Sequence, residues 1–126
     1  MASEKSERGA AGEDCAARAL EKSRYQILEC NFRTPAGEID IIARDGKCLV
    51  FIEVKTRSSV EFGLPQEAVV LRKRKRLCSA ARWYLQKNRV DDADCRFDVV
   101  SVLVGEDTEE PEIEVIKDAF RPEKTW

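Results

Sequence analysis

The chain has 126 residues, 43% hydrophobic and 37% charged, a composition typical of one globular domain with a heavily charged surface. It contains no histidine, which excludes Ser-His-Asp hydrolases, histidine-metal nucleases and other imidazole-dependent sites. Five scattered cysteines without a C-x-x-C pair argue against a disulfide framework and a structural zinc site. Without an apolar run long enough for a membrane span or a signal peptide, we expect a cytoplasmic protein with no membrane partner.

The net charge of −2 is unevenly distributed along the chain. Residues 55–90 carry 10 basic and 2 acidic side chains, a net of +8. Residues 91–126 carry 4 basic and 12 acidic side chains, a net of −8. A basic middle third suggests an anionic partner, although a solvated helix face balanced by an acidic tail explains the same distribution equally well.

The predicted elements follow the order α-β-β-β-α-β-β, which favours an α/β fold with a mixed sheet covered by helices. We expect residues 1–9 to be disordered, residues 10–121 to form a single domain and residues 122–126 to form a tail. Periodicity and turn residues predict, in chain order, a helix over 10–23, a strand over 25–33, a hairpin around Asp45-Gly46, a helix over 66–88, a strand over 97–104, an acidic loop over 105–112 and a strand over 113–116.

The hairpin brings acidic residues together at its open end. If Asp45 and Gly46 form the turn, Glu38 lies opposite Glu53, and Asp40 and Glu53 become diagonal neighbours within side-chain reach. Alternation predicts that two sets of residues lie on opposite faces: Glu38, Asp40, Ile42, Leu49, Phe51, Glu53 and Lys55 on one, and Ile39, Ile41, Val50, Ile52 and Val54 on the other.

Neighbouring carboxylates indicate a cation site. Two carboxylates about 4 Å apart repel each other by roughly 4 kcal/mol at the effective dielectric of a protein surface. A divalent ion relieves this repulsion, and two carboxylates plus water suit magnesium. Lys55 adds a positive charge on the same face, and Glu13, near the buried face of the first helix, could reach the same ion. In so charged a chain, chance or protection of an edge strand explains the same pattern.

These residues also resemble a known family. The segments 37–40 (GEID) and 51–57 (FIEVKTR) resemble the PD-(D/E)XK signature of restriction-endonuclease-like nucleases, except that Ile39 stands where the signature has proline. The chain is more closely similar to the bacterial YraN-like family, which is uncharacterised and similar to archaeal Holliday-junction resolvases. The matching motifs, in order, are Gly12-Glu13, Asn31-Phe32-Arg33, GEIDIIARDG, FIEVKTR, Phe62-Gly63, Lys73, the 77–85 helix, Arg96–Val100 and Ile116–Phe120.

The resemblance implies a central mixed sheet flanked by helices and a metal-dependent phosphodiesterase. Asp40 and Glu53 would bind Mg²⁺ or Mn²⁺ with the Val54 carbonyl, and Lys55 would be the catalytic lysine. Glu13 matches a first-helix glutamate that helps to ligate metal in resolvase-like members. For Glu38, a contact beside the metal and a buried structural role both stay open.

The basic helix is the second functional feature. Arg72, Lys75 and Arg76 point outward and are expected to contact DNA phosphates, as is Arg57, whereas Lys73 lies on the inward edge near the catalytic face. A solvated helix face is the competing interpretation. We also expect Arg96 and Asp98 to pair within the chain. Three aromatic residues are expected in the core, Trp83, Tyr84 and Phe97, and Phe120 is expected to dock on the sheet.

The leading hypothesis is a DNA endonuclease directed to branched or damaged DNA, with a homodimer as one form of it. The first alternative is a nucleic-acid-binding module that keeps the fold but cuts little or nothing. The second is a protein-interaction adaptor that uses the acidic C-terminal third and has no affinity for DNA.

Overall fold

The computed structural model describes residues 7–57, 71–90, 93–105 and 110–122. The described residues form two helices and five strands in the predicted order, which confirms the α/β class. Predictions for residues 1–6, 58–70, 91–92, 106–109 and 123–126 lie outside the described residues. The elements are α1 (Glu7–Lys22), β1 (Gln26–Thr34), β2 (Gly37–Asp45), β3 (Cys48–Arg57), α2 (Leu71–Lys87), β4 (Cys95–Leu103) and β5 (Glu112–Phe120).

The strands form one sheet in the order β1-β2-β3-β4-β5. Every neighbouring pair is antiparallel except β3 and β4, which run parallel with α2 between them in sequence. Parallel neighbours need a crossover connection, and the α2 segment supplies it. The sheet is therefore mixed, as predicted.

Each helix covers one face of the sheet. On the α2 side, Leu77, Ala81 and Tyr84 pack against Phe51 and other sheet residues, as predicted from their spacing. On the α1 side, Ala16 and Leu20 pack in a second apolar cluster of sheet residues, with Ile41, Ala43, Val50, Ile52, Val100 and Val102. Because the central strands are buried on both faces, they consist of nearly continuous apolar sequence.

Both helices end in the same type of cap. After α1, Arg24 has a φ of 70°, and the N–H of Tyr25 donates to the carbonyl of Leu20. After α2, Arg89 has a φ of 52°, and the N–H of Val90 donates to the carbonyl of Leu85. These bonds form Schellman motifs, which satisfy helix-end carbonyls and turn the chain into the next element.

The predicted hairpin register is wrong by two residues. Asp45 pairs with Cys48, so the loop consists of Gly46 and Lys47, and Ile42 lies opposite Phe51 instead of Leu49. Gly46 has a φ of 62° at the first loop position, where a type II′ turn places glycine. A shift of two residues keeps every β3 side chain on its predicted face, because the side-chain period of a strand is two.

The regular alternation expected in β2 breaks at Asp40. Ile39 packs in the α2-side cluster and Ile41 in the α1-side cluster, so the prediction that they share a face is wrong. In β1, Asn31 lies between the partners of these two residues and has a φ of 54°. Asparagine tolerates this left-handed conformation, and such irregularities re-aim neighbouring side chains.

Strand β5 is longer than predicted and contains an irregularity at Asp118. This residue has a φ of 53°, and its N–H donates to the carboxylate of Asp98 over 2.9 Å. The strand then continues to Phe120, whose ring stacks on Phe97 at a centroid distance of 4.9 Å, as expected for a residue docked on the sheet. Tyr84 and Phe97 are buried as predicted, but Trp83 is 48% exposed, so its placement in the core is wrong.

A polar network closes the sheet beside the β2–β3 turn. The Arg96 guanidinium donates to Asp98 over 2.8 Å, to Asp45 over 2.9 Å and to the Tyr25 hydroxyl over 2.9 Å. The Tyr25 hydroxyl in turn donates to Asp98 over 3.0 Å. The predicted pairing of Arg96 with Asp98 is thus confirmed, and it anchors β4 to β2 and to the end of α1.

Candidate functional site

The carboxyl groups of Asp40 and Glu53 lie together at the end of the sheet opposite this network. Only 7% of Asp40 and 6% of Glu53 is exposed, and their carboxyl groups are within hydrogen-bonding reach of each other. The backbone N–H of Val54 donates to Oδ2 of Asp40 over 2.8 Å, which fixes the Asp40 carboxylate against β3. At the point where the alternation of β2 breaks, the Asp40 side chain thus points sideways, toward β3.

The electrostatics of the pair follow from its burial. Burial, followed by the negative charge of Asp40, raises the pKa of Glu53 from 4.5 to about 7, although Lys73 acts in the opposite direction. Near neutral pH and without another cation, Glu53 therefore carries a proton for part of the time. A strongly shifted carboxyl group beside a second carboxylate is typical of functional sites.

Lys73 forms an ion pair with Glu53 across the interface between α2 and β3. The Glu53 side chain is 8% exposed and the Lys73 side chain 40%, so the lysine reaches into the site from its solvent side. The contact brings Lys73 beside the acidic pair, whereas its nearness to a catalytic face stays a prediction, and the sequence does not predict the pairing with Glu53. The only signal for it is that Lys73 lies four residues before the buried Leu77, which puts both on one side of α2.

Lys55 follows Glu53 by two residues on β3 and therefore lies on the same face of the strand, as predicted. It is half-buried, and no hydrogen bond or ion pair joins its ammonium group to another described residue. Arg57 ends the same strand, and its carbonyl accepts a hydrogen bond from the N–H of Val104 over 2.8 Å. The C-terminal end of β3 thus brings Glu53, Lys55 and Arg57 to one corner of the sheet.

Glu13 belongs to α1, which approaches this end of β3 from the opposite face of the sheet. The preceding residue, Gly12, packs so closely on β3 that a Cβ atom there would lie 2.1 Å from Oγ1 of Thr56. Among the residues described, no group of three or more acidic, cysteine or histidine side chains is arranged to hold a metal. The structure therefore brings two carboxylates together, and the role of Glu13 as an additional ligand stays a prediction.

Glu38 lies beside the pair but points to a different partner. It is opposite Arg33 in the β1–β2 ladder, and Oε1 of Glu38 lies 3.8 Å from Nε of Arg33. The predicted opposition of Glu38 and Glu53 is wrong, because the true hairpin register moves Glu38 beyond the paired part of β3. The Glu38 side chain is 35% exposed and not buried, and both interpretations of its role stay predictions.

The outward surface of α2 carries the remaining predicted DNA-binding residues. Arg72, Lys75 and Arg76 are exposed, whereas the guanidinium of Arg74 lies over the Phe120 ring at 5.2 Å and helps to cover the core. Trp83 is on the same helix and half exposed. Because helical residues repeat every 3.6 positions, Arg72, Arg76 and Trp83 lie along one stripe of this surface.

The donor groups of the site suit a hard divalent cation. Asp40 and Glu53 offer carboxylate oxygens, which Mg²⁺ and Mn²⁺ prefer, and the mutual repulsion of these groups disappears when a cation lies between them. Mg²⁺ is usually bound by one or two protein carboxylates, and water and phosphate oxygens complete its coordination sphere. The residues present therefore fit such an ion.

Comparison of the sequence with protein families shows which family contains these site residues. A family model described as "Uncharacterised protein family UPF0102" matches residues 12–102. The chain belongs to family UPF0102. The match spans the acidic pair, Lys55, Lys73 and Glu13. It confirms the predicted family membership, whereas the relation to PD-(D/E)XK nucleases stays a prediction.

UPF0102 relatives are similar over nearly their whole length. A UPF0102 protein of Moorella thermoacetica is 51% identical over 113 residues, which is 90% of this chain and 94% of the relative. One from Geobacter metallireducens is 50% identical over 112 residues, 89% of this chain and 90% of the relative. One from Dehalococcoides mccartyi is 44% identical over 123 residues, 98% of this chain and all of the relative.

As for the membrane, neither described helix has the length and apolar character needed to span a bilayer.

Proposed function

We propose that this UPF0102 member is a DNA endonuclease that uses Mg²⁺ or Mn²⁺ to hydrolyse phosphodiester bonds in branched or damaged DNA. The observation that carries the proposal is the buried contact between the Asp40 and Glu53 carboxyl groups, with Lys55 on the same face of β3. A buried pair of like charges is unfavourable for folding unless a cation or proton compensates it, which supports a binding role.

Each residue would have a distinct role in the reaction. Asp40 and Glu53 would hold the ion, and the Val54 N–H keeps the Asp40 carboxylate in place. A divalent ion bound there supplies Lewis acidity, which polarises the phosphate and lowers the pKa of a water molecule. The Lys55 ammonium would align the attacking water and offset the charge that develops on the phosphoryl oxygens. The water oxygen would become bonded to phosphorus as one P–O ester bond breaks, and the proton that the water gives up would end on the departing sugar oxygen.

The exposed cations of α2 would bring the DNA to this corner. Arg72, Lys75 and Arg76 would bind backbone phosphates, which gives affinity without sequence preference and makes it sensitive to salt. Lys73 connects this surface to the acidic pair, because it belongs to the same helix and contacts Glu53.

A cleavage assay tests the proposal. The wild type, Asp40→Asn and Lys55→Met would be incubated with linear, flap and four-way-junction DNA in Mg²⁺ or Mn²⁺. We expect cutting by the wild type and a loss of at least about 100-fold in each variant, with DNA binding retained. Asp94→Asn and Lys47→Met, at exposed positions near the opposite end of β3, are the matched controls and should cut normally.

A second candidate is a nucleic-acid-binding module without cutting activity. The observation in its favour is that the exposed cations of α2 form a positively charged surface that does not include the acidic pair. Binding by the wild type with no cutting of any substrate in either metal would select this function.

A further inference from the structure

Lys73 occupies the position of a counter-ion to the carboxylate pair. Glu53 and Asp40 are buried beside each other, and Lys73 is the cation that contacts Glu53 among the described residues. Its side chain is 40% exposed, so its ammonium group can exchange this contact for one with solvent or with a ligand. A lysine suits such an exchange because its charge is compact and its four-carbon stem is flexible.

We propose that Lys73 is the resting counter-ion of the Asp40–Glu53 pair, and that a divalent ion displaces it toward a DNA phosphate. This inference rests on the proposed function, because it uses the same metal and the same nucleic acid. Its consequence is that the metal and DNA bind cooperatively, with Lys73 as the group that couples them.

Charge and position support the displacement. A divalent ion on Glu53 repels the Lys73 ammonium, since both cations would compete for oxygens of one carboxylate. Arg72, Lys75 and Arg76 surround Lys73 in sequence and are exposed, so a released Lys73 joins an existing cationic surface. Metal binding would thus both free one more phosphate-binding group and remove negative charge from the site.

The first test measures metal affinity directly. Calorimetric titration with Mn²⁺ would compare the wild type, Lys73→Met and the control Lys47→Met, an exposed lysine in the β2–β3 turn. Because no ion pair must be broken in Lys73→Met, we expect it to bind Mn²⁺ about three- to tenfold more tightly than the wild type. Lys73→Gln repeats the comparison with a polar side chain, and thermal unfolding of each variant checks its fold.

The second test measures the coupling. Fluorescence anisotropy of labelled junction DNA would give DNA affinity with and without Mn²⁺, in a Lys55→Met background that prevents cutting. We expect Mn²⁺ to raise DNA affinity by a larger factor when Lys73 is present than in Lys73→Met. Linkage requires that DNA raise Mn²⁺ affinity by the same factor.

The outcomes separate this inference from the proposed function. Equal or weaker Mn²⁺ binding by folded Lys73→Met and Lys73→Gln, or an unchanged coupling factor, would overturn the counter-ion role even if the wild type cuts DNA. Tighter Mn²⁺ binding and reduced coupling in a protein that cuts no DNA would support the counter-ion role and reject the nuclease.

Discussion

For the acidic pair, the sequence predicts that the two residues meet but not how the Asp40 side chain is oriented. The hairpin predicts that Asp40 and Glu53 meet. This holds despite the register error, because after the two-residue shift both residues still adjoin each other at the open end of the hairpin, next to the Ile41–Ile52 pair. The aim of the Asp40 side chain was not predictable in the same way. It accompanies a left-handed backbone at Asn31 in the neighbouring strand, and residue type alone does not fix a φ angle.

The pH dependence of stability should report the shifted pKa of Glu53. Because its folded pKa is about 7 instead of 4.5, the folded chain holds a proton between these values that the unfolded chain has released. The free energy of unfolding without metal should therefore fall as the pH rises from about 4.5 through 7, by up to about 3 kcal/mol.

Urea unfolding in the presence of a chelator, at pH 5 and pH 8, measures this effect. Glu53→Gln should lose less stability than the wild type between the two pH values, whereas Glu21→Gln, at an exposed position of α1, should behave like the wild type. Identical pH dependence of Glu53→Gln and the wild type would contradict the shift.

The contact between Gly12 and Thr56 should set how closely α1 approaches β3. An alanine Cβ at position 12 would lie 2.1 Å from Oγ1 of Thr56, so Gly12→Ala should destabilise the fold by about 1–3 kcal/mol. Thr56→Ala removes that oxygen, and the double variant should recover part of the loss. Denaturant unfolding of both single variants and the double variant measures the coupling, and strictly additive effects would argue against this contact.

At the scale of elements, α2 has an apolar side and a cationic side. The 3.6-residue period correctly predicts its buried residues Leu77, Ala81 and Tyr84. Trp83 was assigned to the core because of its residue type, yet its helical position turns it outward. For α2, position on the helix is thus a better guide than hydrophobicity.

DNA binding to the outward stripe of α2 should be visible at Trp83. With Trp126→Phe as background, junction DNA should change the fluorescence of Trp83, because phosphates and bases would lie along Arg72 and Arg76. Arg76→Ala should lower the slope of log affinity against log salt by about 1, whereas Lys22→Ala on α1 should leave it unchanged. Unchanged fluorescence and slope would place the DNA elsewhere.

The network of Arg96, Asp98, Asp45 and Tyr25 should contribute to stability without contributing to cutting. It lies at the other end of β2 from Asp40, roughly 17 Å away along the strand. Tyr25→Phe removes the hydroxyl that bridges Arg96 and Asp98 and should lower the free energy of unfolding by about 1–2 kcal/mol. Thermal unfolding of Tyr25→Phe should therefore show lower stability, while the cleavage assay shows normal cutting. A loss of cutting by folded Tyr25→Phe would contradict this prediction.

In the whole molecule, one mixed sheet carries the Arg96 network at one end and the acidic pair at the other. Element order and fold class were predictable, because hydrophobic periodicity and turn residues act locally along the chain. The hairpin register and the full length of β5 were not, because they depend on Gly46 in the turn and on the bond from Asp118 to Asp98, twenty residues away in sequence. The pairing of Lys73 with Glu53 is likewise a tertiary contact between a helix and a strand.

The most direct test of the metal site is anomalous diffraction from crystals grown with Mn²⁺. The account predicts an anomalous peak within about 2.5 Å of carboxylate oxygens from both Asp40 and Glu53, with the Lys73 ammonium no longer on Glu53. Crystals of Asp40→Asn should lack the peak. If wild-type crystals in millimolar Mn²⁺ have no peak at this pair, or keep Lys73 bound to Glu53 beside a metal located elsewhere, the central claim is contradicted.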